Sequence, residues 1–413
     1  MLLFYIHKIA VQSKRQYWFL LLAFIFLSTP DVIAQSGEKK EKVALTSTSK
    51  KGEDSTTSDA IFSTNFRFRM QNRFTVMQEE NTTYETKIRH LRLSAAGHVL
   101  KQNLTYKIQL SLAPDDLKHG QQGERIPIIK DLTLQYQPSK NWKILFGYKK
   151  LPGNRQSVNS SSSLQLTDRS INNKRFNINR DLGLQVTYNQ LSDKKFSYAI
   201  ITALSTGKSL FKIDNGENSY ALTGKLELYP LGSFTDGGSS YEGDLVREPS
   251  PKLMVSGAFH HNGKAQLSEG VHGSYLYETR DLQSTFIDML FKYRGWSAMF
   301  AYLDRTTNNP ITISDADPNL QSFVYTGHGF DYQLSYLLPK DYEIIGRFSN
   351  QKVEDELFQL NLPHTKEWTI GLTKYIWKHK VKWQLEWTYQ EETYSLNPIK
   401  DSWYLRTQIE FGI

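Results

Sequence analysis

The sequence predicts an all-β protein, a transmembrane antiparallel β-barrel of about 16 strands with a long basic loop folded into its interior. Three observations carry that expectation: aromatic wealth at low hydropathy, an apolar/polar alternation of period 2 that runs to the last residue, and an export signal at the start. The 413 residues include 23 Tyr, 22 Phe and 8 Trp, yet the mean hydropathy is −0.50. That balance arises where aromatics face one way along strands and polar groups face the other. No cysteine is present, which excludes disulfides and thiolate metal sites.

At the N-terminus, Lys8, Lys14 and Arg15 precede the apolar run "YWFLLLAFIFL" (17–27), and "STPDVIA" then leads to Gln35. The run is far short of the ~20 apolar residues a spanning helix needs. Residues 1–34 therefore read as a signal peptide cut after Ala34. Residues 35–60 are rich in Lys, Glu, Ser and Thr with almost nothing to bury, and read as a disordered periplasmic segment. Residues 61–413 form the barrel domain.

Within that domain the alternation is strict. In "LTYKIQLSL", Leu104, Tyr106, Ile108, Leu110 and Leu112 alternate with Thr105, Lys107, Gln109 and Ser111. In "VKWQLEWTY", Val381, Trp383, Leu385, Trp387 and Tyr389 alternate with Lys382, Gln384, Glu386 and Thr388. A soluble sandwich also alternates, but its strands average about 5–6 residues. Many runs here reach the ~9–11 residues a tilted strand needs to cross a bilayer, and Trp or Tyr often marks their ends, as an interfacial girdle requires.

The predicted strands are 62–76, 86–100, 103–113, 128–138, 141–149, 181–190, 195–203, 219–230, 252–261, 282–293, 295–304, 326–338, 341–350, 366–377, 379–392 and 401–412. An even count suits a bacterial barrel, and sixteen strands leave an aqueous lumen where eight would be filled by side chains. Short connections ("KQN", "SKN", "PKD", "KH") are expected on the periplasmic side. The long ones (114–127, 150–180, 231–251, 262–281, 305–325 and 351–365) are expected outside.

Charge is unevenly spread. Residues 61–180 hold 20 Lys/Arg against 8 Asp/Glu, whereas 181–413 hold 22 against 28. The stretch "LTDRSINNKRFNINRDLG" (166–183) contains Arg169, Lys174, Arg175 and Arg180 and shows no apolar period of 2 or 3.6, so it is neither a core strand nor an amphipathic helix. Basic residues at barrel rims snorkel into lipid head groups, and Arg73 and Lys140 are assigned there. Rim placement does not explain "FRFRMQNRF", where Arg67, Arg69 and Arg73 share one parity opposite Phe66, Phe68 and Phe74, nor a basic loop as long as 150–180, which far exceeds an ordinary connection. Folded into the lumen, such a loop makes a pore constriction whose fixed cations concentrate anions and exclude cations.

"IRHLRLSAAGHV", "LTYKIQLSL", "LTLQYQPSKNWKILFGYKKLPG" and "LTDRS…RFNINRDLGLQVTYN" together resemble the phosphate-selective porin O and P family, in order and spacing over roughly residues 60–413. The specific parts are "GYKKLPG", "DRS" and "NRDLG". The resemblance implies a sixteen-stranded outer-membrane barrel, usually a homotrimer in outer-membrane lipids, passing phosphate or other small anions. It places Lys149 and Lys150 on the basic pair before the loop, Arg169 and Arg180 on the arginines of two loop motifs, and Arg89 and Arg92 on an arginine-rich second strand. Two departures stand out. His90 occupies a position where the family often has arginine, and the chain ends in Ile413, leaving Phe411 as the terminal aromatic.

The expected anion-binding set is therefore Lys149, Lys150, Arg169, Arg180, Lys174, Arg175, Arg89, Arg92, Arg67 and Arg69. No cofactor, metal, catalytic or nucleic-acid role is expected. "TALSTGKS" lacks the first glycine of a nucleotide-binding loop, with Thr202 in its place. "DADPNL" (315–320) lacks the turn glycine of a calcium loop. His260 and His261 are adjacent on a strand and so point to opposite faces. The function expected is passive, anion-selective diffusion of phosphate or polyphosphate. The alternatives are a broader porin for oligoanions, nucleotides or acidic sugars, and an outer-membrane adhesin or enzyme.

Overall fold

The computed structural model describes residues 61–114, 128–209, 219–396 and 399–413. The expected signal peptide (1–34), the segment 35–60 and nearly all of the expected outer loop 114–127 lie outside the described residues. Among the described residues, sixteen antiparallel strands close into one barrel. They are β1 (Phe62–Gln78), β2 (Thr82–Val99), β3 (Lys101–Ser111), β4 (Ile129–Tyr136), β5 (Trp142–Lys150), β6 (Arg180–Gln190), β7 (Ser197–Ser205), β8 (Tyr220–Tyr229), β9 (Lys252–Leu267), β10 (Tyr275–Tyr293), β11 (Trp296–Thr306), β14 (Gly327–Leu337), β15 (Tyr342–Val353), β16 (His364–Trp377), β17 (Val381–Thr393) and β18 (Lys400–Gly412). Two short strands, β12 (Ile311–Ile313) and β13 (Gln321–Phe323), form a separate hairpin after β11.

Each predicted strand has its counterpart, with ends shifted by a few residues. The main difference is at 262–281, expected as a loop. There β9 runs on to Leu267 and β10 starts at Tyr275. One face of the extensions packs under the connection after β11, where Ala265 meets Leu276, Leu282 and Val324 in a small apolar cluster, and that distant cover is invisible to a strand's local pattern.

Ring closure pairs β1 with β18, from Arg69 opposite Gly412 to Gln78 opposite Trp403. The Phe68 N–H donates to the Ile413 carbonyl at 2.9 Å. Closure removes the unpaired edge that an open sheet would leave in lipid. The apolar set of each strand faces out: Trp387 and Ile370 are exposed, whereas Lys382, Gln384, Glu386 and Thr388 are at most 1% exposed. The polar face is thus the inner one, and it is buried, so something inside the barrel must satisfy it.

Strand parity sorts the connections by end. Both barrel termini and the turns β2–β3, β4–β5, β6–β7, β10–β11, β14–β15 and β16–β17 lie at one end, the chain-end side. The long connection 230–251, between β8 and β9, lies there too. This corrects the expectation that 231–251 is an outer loop. Length suggested the outside, but an even number of strands precedes this segment.

The loop between β5 and β6, residues 151–179, enters the lumen from the opposite end. It carries two short helices, α1 (Arg155–Val158) and α2 (Ile171–Phe176). Helix α2 falls within the stretch expected to have no regular structure, and at six residues it is too short to show a period. Asn154 and Ser170 cap the two helices, accepting from Ser157 N and Asn173 N, which satisfies otherwise orphaned N–H groups. Leu151, Phe176 and Ile178 pack against inward-facing Ala203, Ala258, Phe286 and Leu303. Full burial of such side chains is worth about 1.5–3 kcal/mol each. This apolar core inside a polar-lined barrel seats the loop on one side of the lumen.

Candidate functional site

The seated loop rests on an arc of carboxylates. Asp288 of β10 accepts from Asn154 Nδ2 at 2.6 Å and from Arg155 N at 2.9 Å. Asp331 of β14 accepts from Ser170 Oγ at 2.6 Å and Asn172 Nδ2 at 2.8 Å. Glu343 of β15 accepts from Gln165 Nε2 at 2.6 Å, and Glu386 of β17 from Thr167 N at 2.8 Å and Thr167 Oγ1 at 2.7 Å. The loop thus offers neutral amides and hydroxyls to the acidic wall. Backbone approach is close: a Cβ on Gly329 of β14 would collide with the Asn172 side chain.

Cations on the same arc serve the loop's carbonyls. Lys225 donates to Gly153 O at 3.0 Å, Lys382 to Leu164 O at 2.5 Å, and Arg347 to Asp168 O at 3.0 Å. Fully buried Arg305 donates to the carbonyls of Arg175 and Asn177 at 3.1 and 3.0 Å. Buried polar groups on this side are therefore largely paired, as their desolvation demands.

The other side is wet. Inward-facing Arg67, Arg69, Lys87, Arg89, Arg92, Lys107, Lys143 and Lys149, on β1, β2, β3 and β5, are half-buried or exposed, whereas Asp288, Asp331, Glu343 and Glu386 across the barrel are buried. The cationic side chains of the inner face that stay accessible to solvent therefore lie together on β1, β2, β3 and β5.

Of the predicted residues, Lys149, Lys150, Arg169, Arg180, Arg89, Arg92, Arg67 and Arg69 lie on this side. Arg69 pairs with Glu410 at 2.7 Å and donates to Ser161 Oγ at 2.8 Å. Arg92 reaches the same hydroxyl at 3.4 Å and the His90 ring at 3.4 Å. Lys150 donates to the carbonyls of Ser157 (2.5 Å) and Asn159 (2.8 Å). Arg169 donates to Gln156 O (2.7 Å) and to that same Asn159 O (2.9 Å). These two cations thus brace the loop's first turns. Lys174 and Arg175 sit apart, exposed on the last turn of α2, with Arg175 stacked 4.5 Å over the Tyr325 ring.

Arg73 corrects the rim assignment. It is 4% exposed inside the barrel and pairs with Asp168 at 2.6 Å. Its parity, shared with Arg67 and Arg69, carried the signal for an inward position. Asp168 also faces Arg89 at 3.2 Å and Arg406 at 3.8 Å. Burial would raise its carboxyl, but Arg73, Arg89 and Arg406 hold it well below the usual carboxylate range. Burial lowers the Arg169 guanidinium to about 10, opposed by Glu242, so it stays charged at neutral pH. Sequence reasoning also left out Asp131, which joins Lys107 (2.5 Å) to Arg180 (3.2 Å). The alternation of "LTYKIQLSL" already put Lys107 on the polar face.

Among the described residues, no group of three or more His, Cys, Asp or Glu is placed to hold a metal ion.

The barrel is similar in fold to the outer membrane channel DcaP of Acinetobacter baumannii, at 13% identity and TM-score 0.52 over 86% of this chain and 99% of that one. It is similar to Salmonella typhi OmpF in complex with daunomycin, at 12% identity and TM-score 0.54 over 85% and 97%. An anion-selective porin from Comamonas acidovorans matches at 10% identity and TM-score 0.52 over 85% and 100%. No curated protein matches the sequence. The family model for phosphate-selective porin O and P matches residues 63–292, more than half of the chain and the whole of the basic loop. A closed sixteen-stranded barrel with a loop packed inside it, in a chain with that match, is an outer-membrane porin, and the chain belongs to the phosphate-selective porin O and P family.

Proposed function

We propose that the protein is a passive, anion-selective porin with phosphate or polyphosphate as its principal cargo. The observation that carries this reading is the one-sided lining: Arg67, Lys87, Arg89, Arg92, Lys107, Lys143 and Lys149 on the accessible wall, with Lys150 at the end of β5 and Arg169 on the loop. The acids nearby are already paired, Glu85 with Lys87, Asp131 with Lys107 and Arg180, and Asp168 with arginines. In a narrow passage with low-dielectric walls, net fixed positive charge raises the local anion concentration and repels cations. Arginine favours phosphate further, because its planar fork donates two hydrogen bonds at once.

The decisive measurement is the reversal potential of the purified protein in a planar bilayer across a KCl gradient, followed by addition of phosphate. Anion selectivity with chloride current blocked by phosphate supports the reading; cation selectivity ends it. A broader porin for oligoanions, nucleotides or acidic sugars is the second reading, favoured by His90 in place of a further arginine. It predicts that such anions block chloride current more strongly than phosphate does. We also expect the mature protein to lack residues 1–34, which intact-mass measurement checks. The trimer that the family resemblance implies would appear as a heat-modifiable high-mass band on gels.

A further inference from the structure

The segment 231–251 is a strap across the chain-end mouth of the barrel. Its first part is held at the β6–β7 turn, where Ser233 N donates to Ser192 O at 2.8 Å. Lys292 of β10 holds its middle, donating to the carbonyls of Gly238 and Gly243 at 2.8 and 2.6 Å. Tyr241 stacks on His379 of the β16–β17 turn with ring centroids 4.2 Å apart. A Cβ on Gly243 would come within 2.7 Å of both Glu343 carboxylate oxygens, so the strap is pressed against the same acidic wall that carries the loop.

Strap and loop come from opposite ends of the barrel and meet around Glu242. Glu242 is 1% exposed. One of its carboxylate oxygens accepts from Gln165 N at 2.8 Å and the other from Gln156 Nε2 at 2.9 Å. Its own N–H donates to Ser163 O at 3.3 Å. In return, Arg155 of the loop donates to Ser239 O and to Tyr241 O, the latter at 2.6 Å. A charged acceptor makes the stronger class of hydrogen bond. Losing it strands two buried donors.

We propose that Glu242 is a positioning residue for ion selectivity. It clamps the constriction loop from the chain-end side, keeping the loop over Asp288, Asp331, Glu343 and Glu386, so that the passage presents the basic wall and not the acidic one. The inference rests on the anion-porin reading above. Glu242 itself lines no part of the passage, so its effect runs through the loop. Loosening the clamp therefore admits water to the acidic wall and lowers anion preference.

The test uses the full-length porin in planar bilayers. The chain has no cysteine, so a single Ser163→Cys reporter at the loop's clamped turn, 4% exposed, reads seating directly. With Glu242→Ala, thiol labelling by a charged methanethiosulfonate reagent should accelerate at least tenfold, and the reversal potential should move toward zero. Glu242→Gln keeps one acceptor oxygen and should fall between Ala and wild type; it also serves if the Ala variant fails to form a heat-modifiable barrel. Labelling and reversal potential unchanged in both variants would overturn the clamp. A wild type that is not anion-selective would defeat the porin reading instead, and the labelling rates would still decide whether Glu242 seats the loop.

Discussion

Arg73 and Asp168 lie 95 residues apart in sequence and 2.6 Å apart in space. Arg73 also donates to Thr167 O at 2.7 Å and to Gln408 Oε1 at 3.0 Å. One side chain on the first strand therefore ties the loop to the strand that closes the barrel. Replacing it with alanine removes charge-assisted bonds worth about 1.5–3 kcal/mol each. Arg73→Ala should lower the temperature at which the heat-modifiable form is lost and raise single-channel conductance, whereas Lys140→Ala, on an exposed turn, should do neither. Identical behaviour of the two variants would return Arg73 to the rim.

Charge beside the passage should govern selectivity. For Arg169, the order of anion preference should be wild type, then Gln, then Glu, because Gln keeps a donor for the loop carbonyls but loses the charge. Lys150→Glu should resemble Arg169→Glu. A unit charge about 4 Å from a permeating ion is worth about 4 kcal/mol at an effective dielectric of about 20, and salt screens it weakly inside a constriction narrower than the ~8 Å Debye length. Phosphate block of chloride current should disappear in the Glu variants. If they pass chloride and phosphate as the wild type does, the loop is not the filter.

Asp131 tempers the basic lining by neutralising Lys107 and Arg180 together. Asp131→Asn should increase anion preference, the reverse of the previous change. At about 8 Å the added unit of net charge is worth roughly 2 kcal/mol before screening. A reversal potential that moves toward cation preference, or stays fixed, would count against an electrostatic role for this wall.

The strap contact at His379 should be sensitive to acid. Burial, with Lys382 of β17, Lys292 of β10 and Lys378 of its own turn, lowers its pKa to about 3 from 6.5. Tyr241 and Tyr375 are its ring neighbours. The released ring takes up a proton before the stacked one does, so the stacking stability is complete above pH 6.5 and declines as pH falls toward 3. Open-channel noise should therefore grow between pH 7 and pH 4. His379→Phe keeps a ring without a proton to bind and should abolish that growth; equal noise growth in the variant would place the acid effect elsewhere.

The strands were legible because their signal is local. A period of 2 needs only neighbouring residues, and a face that must meet lipid cannot carry charge, so "VKWQLEWTY" and "LTYKIQLSL" announce both their conformation and their orientation. The basic loop was legible as a composition, and its motifs as a family pattern. Its seating was not, because the partners that hold it are far away in the chain. Asp331 meets Ser170 across 161 residues, Glu386 meets Thr167 across 219, and Arg69 meets Glu410 across 341. No periodicity encodes which inward-facing carboxylate a given amide will find; the closed barrel decides that by bringing strands β10 to β18 around the loop. The same closure decided that Arg73 is a tether and not a rim charge, and that 231–251 lies under the loop. By itself, the sequence determined a sixteen-stranded exported barrel with cations concentrated before residue 180. Tertiary structure decided which of those cations line water and which hold the loop in place, because only in the closed barrel does each inward side chain meet either a buried partner or the passage.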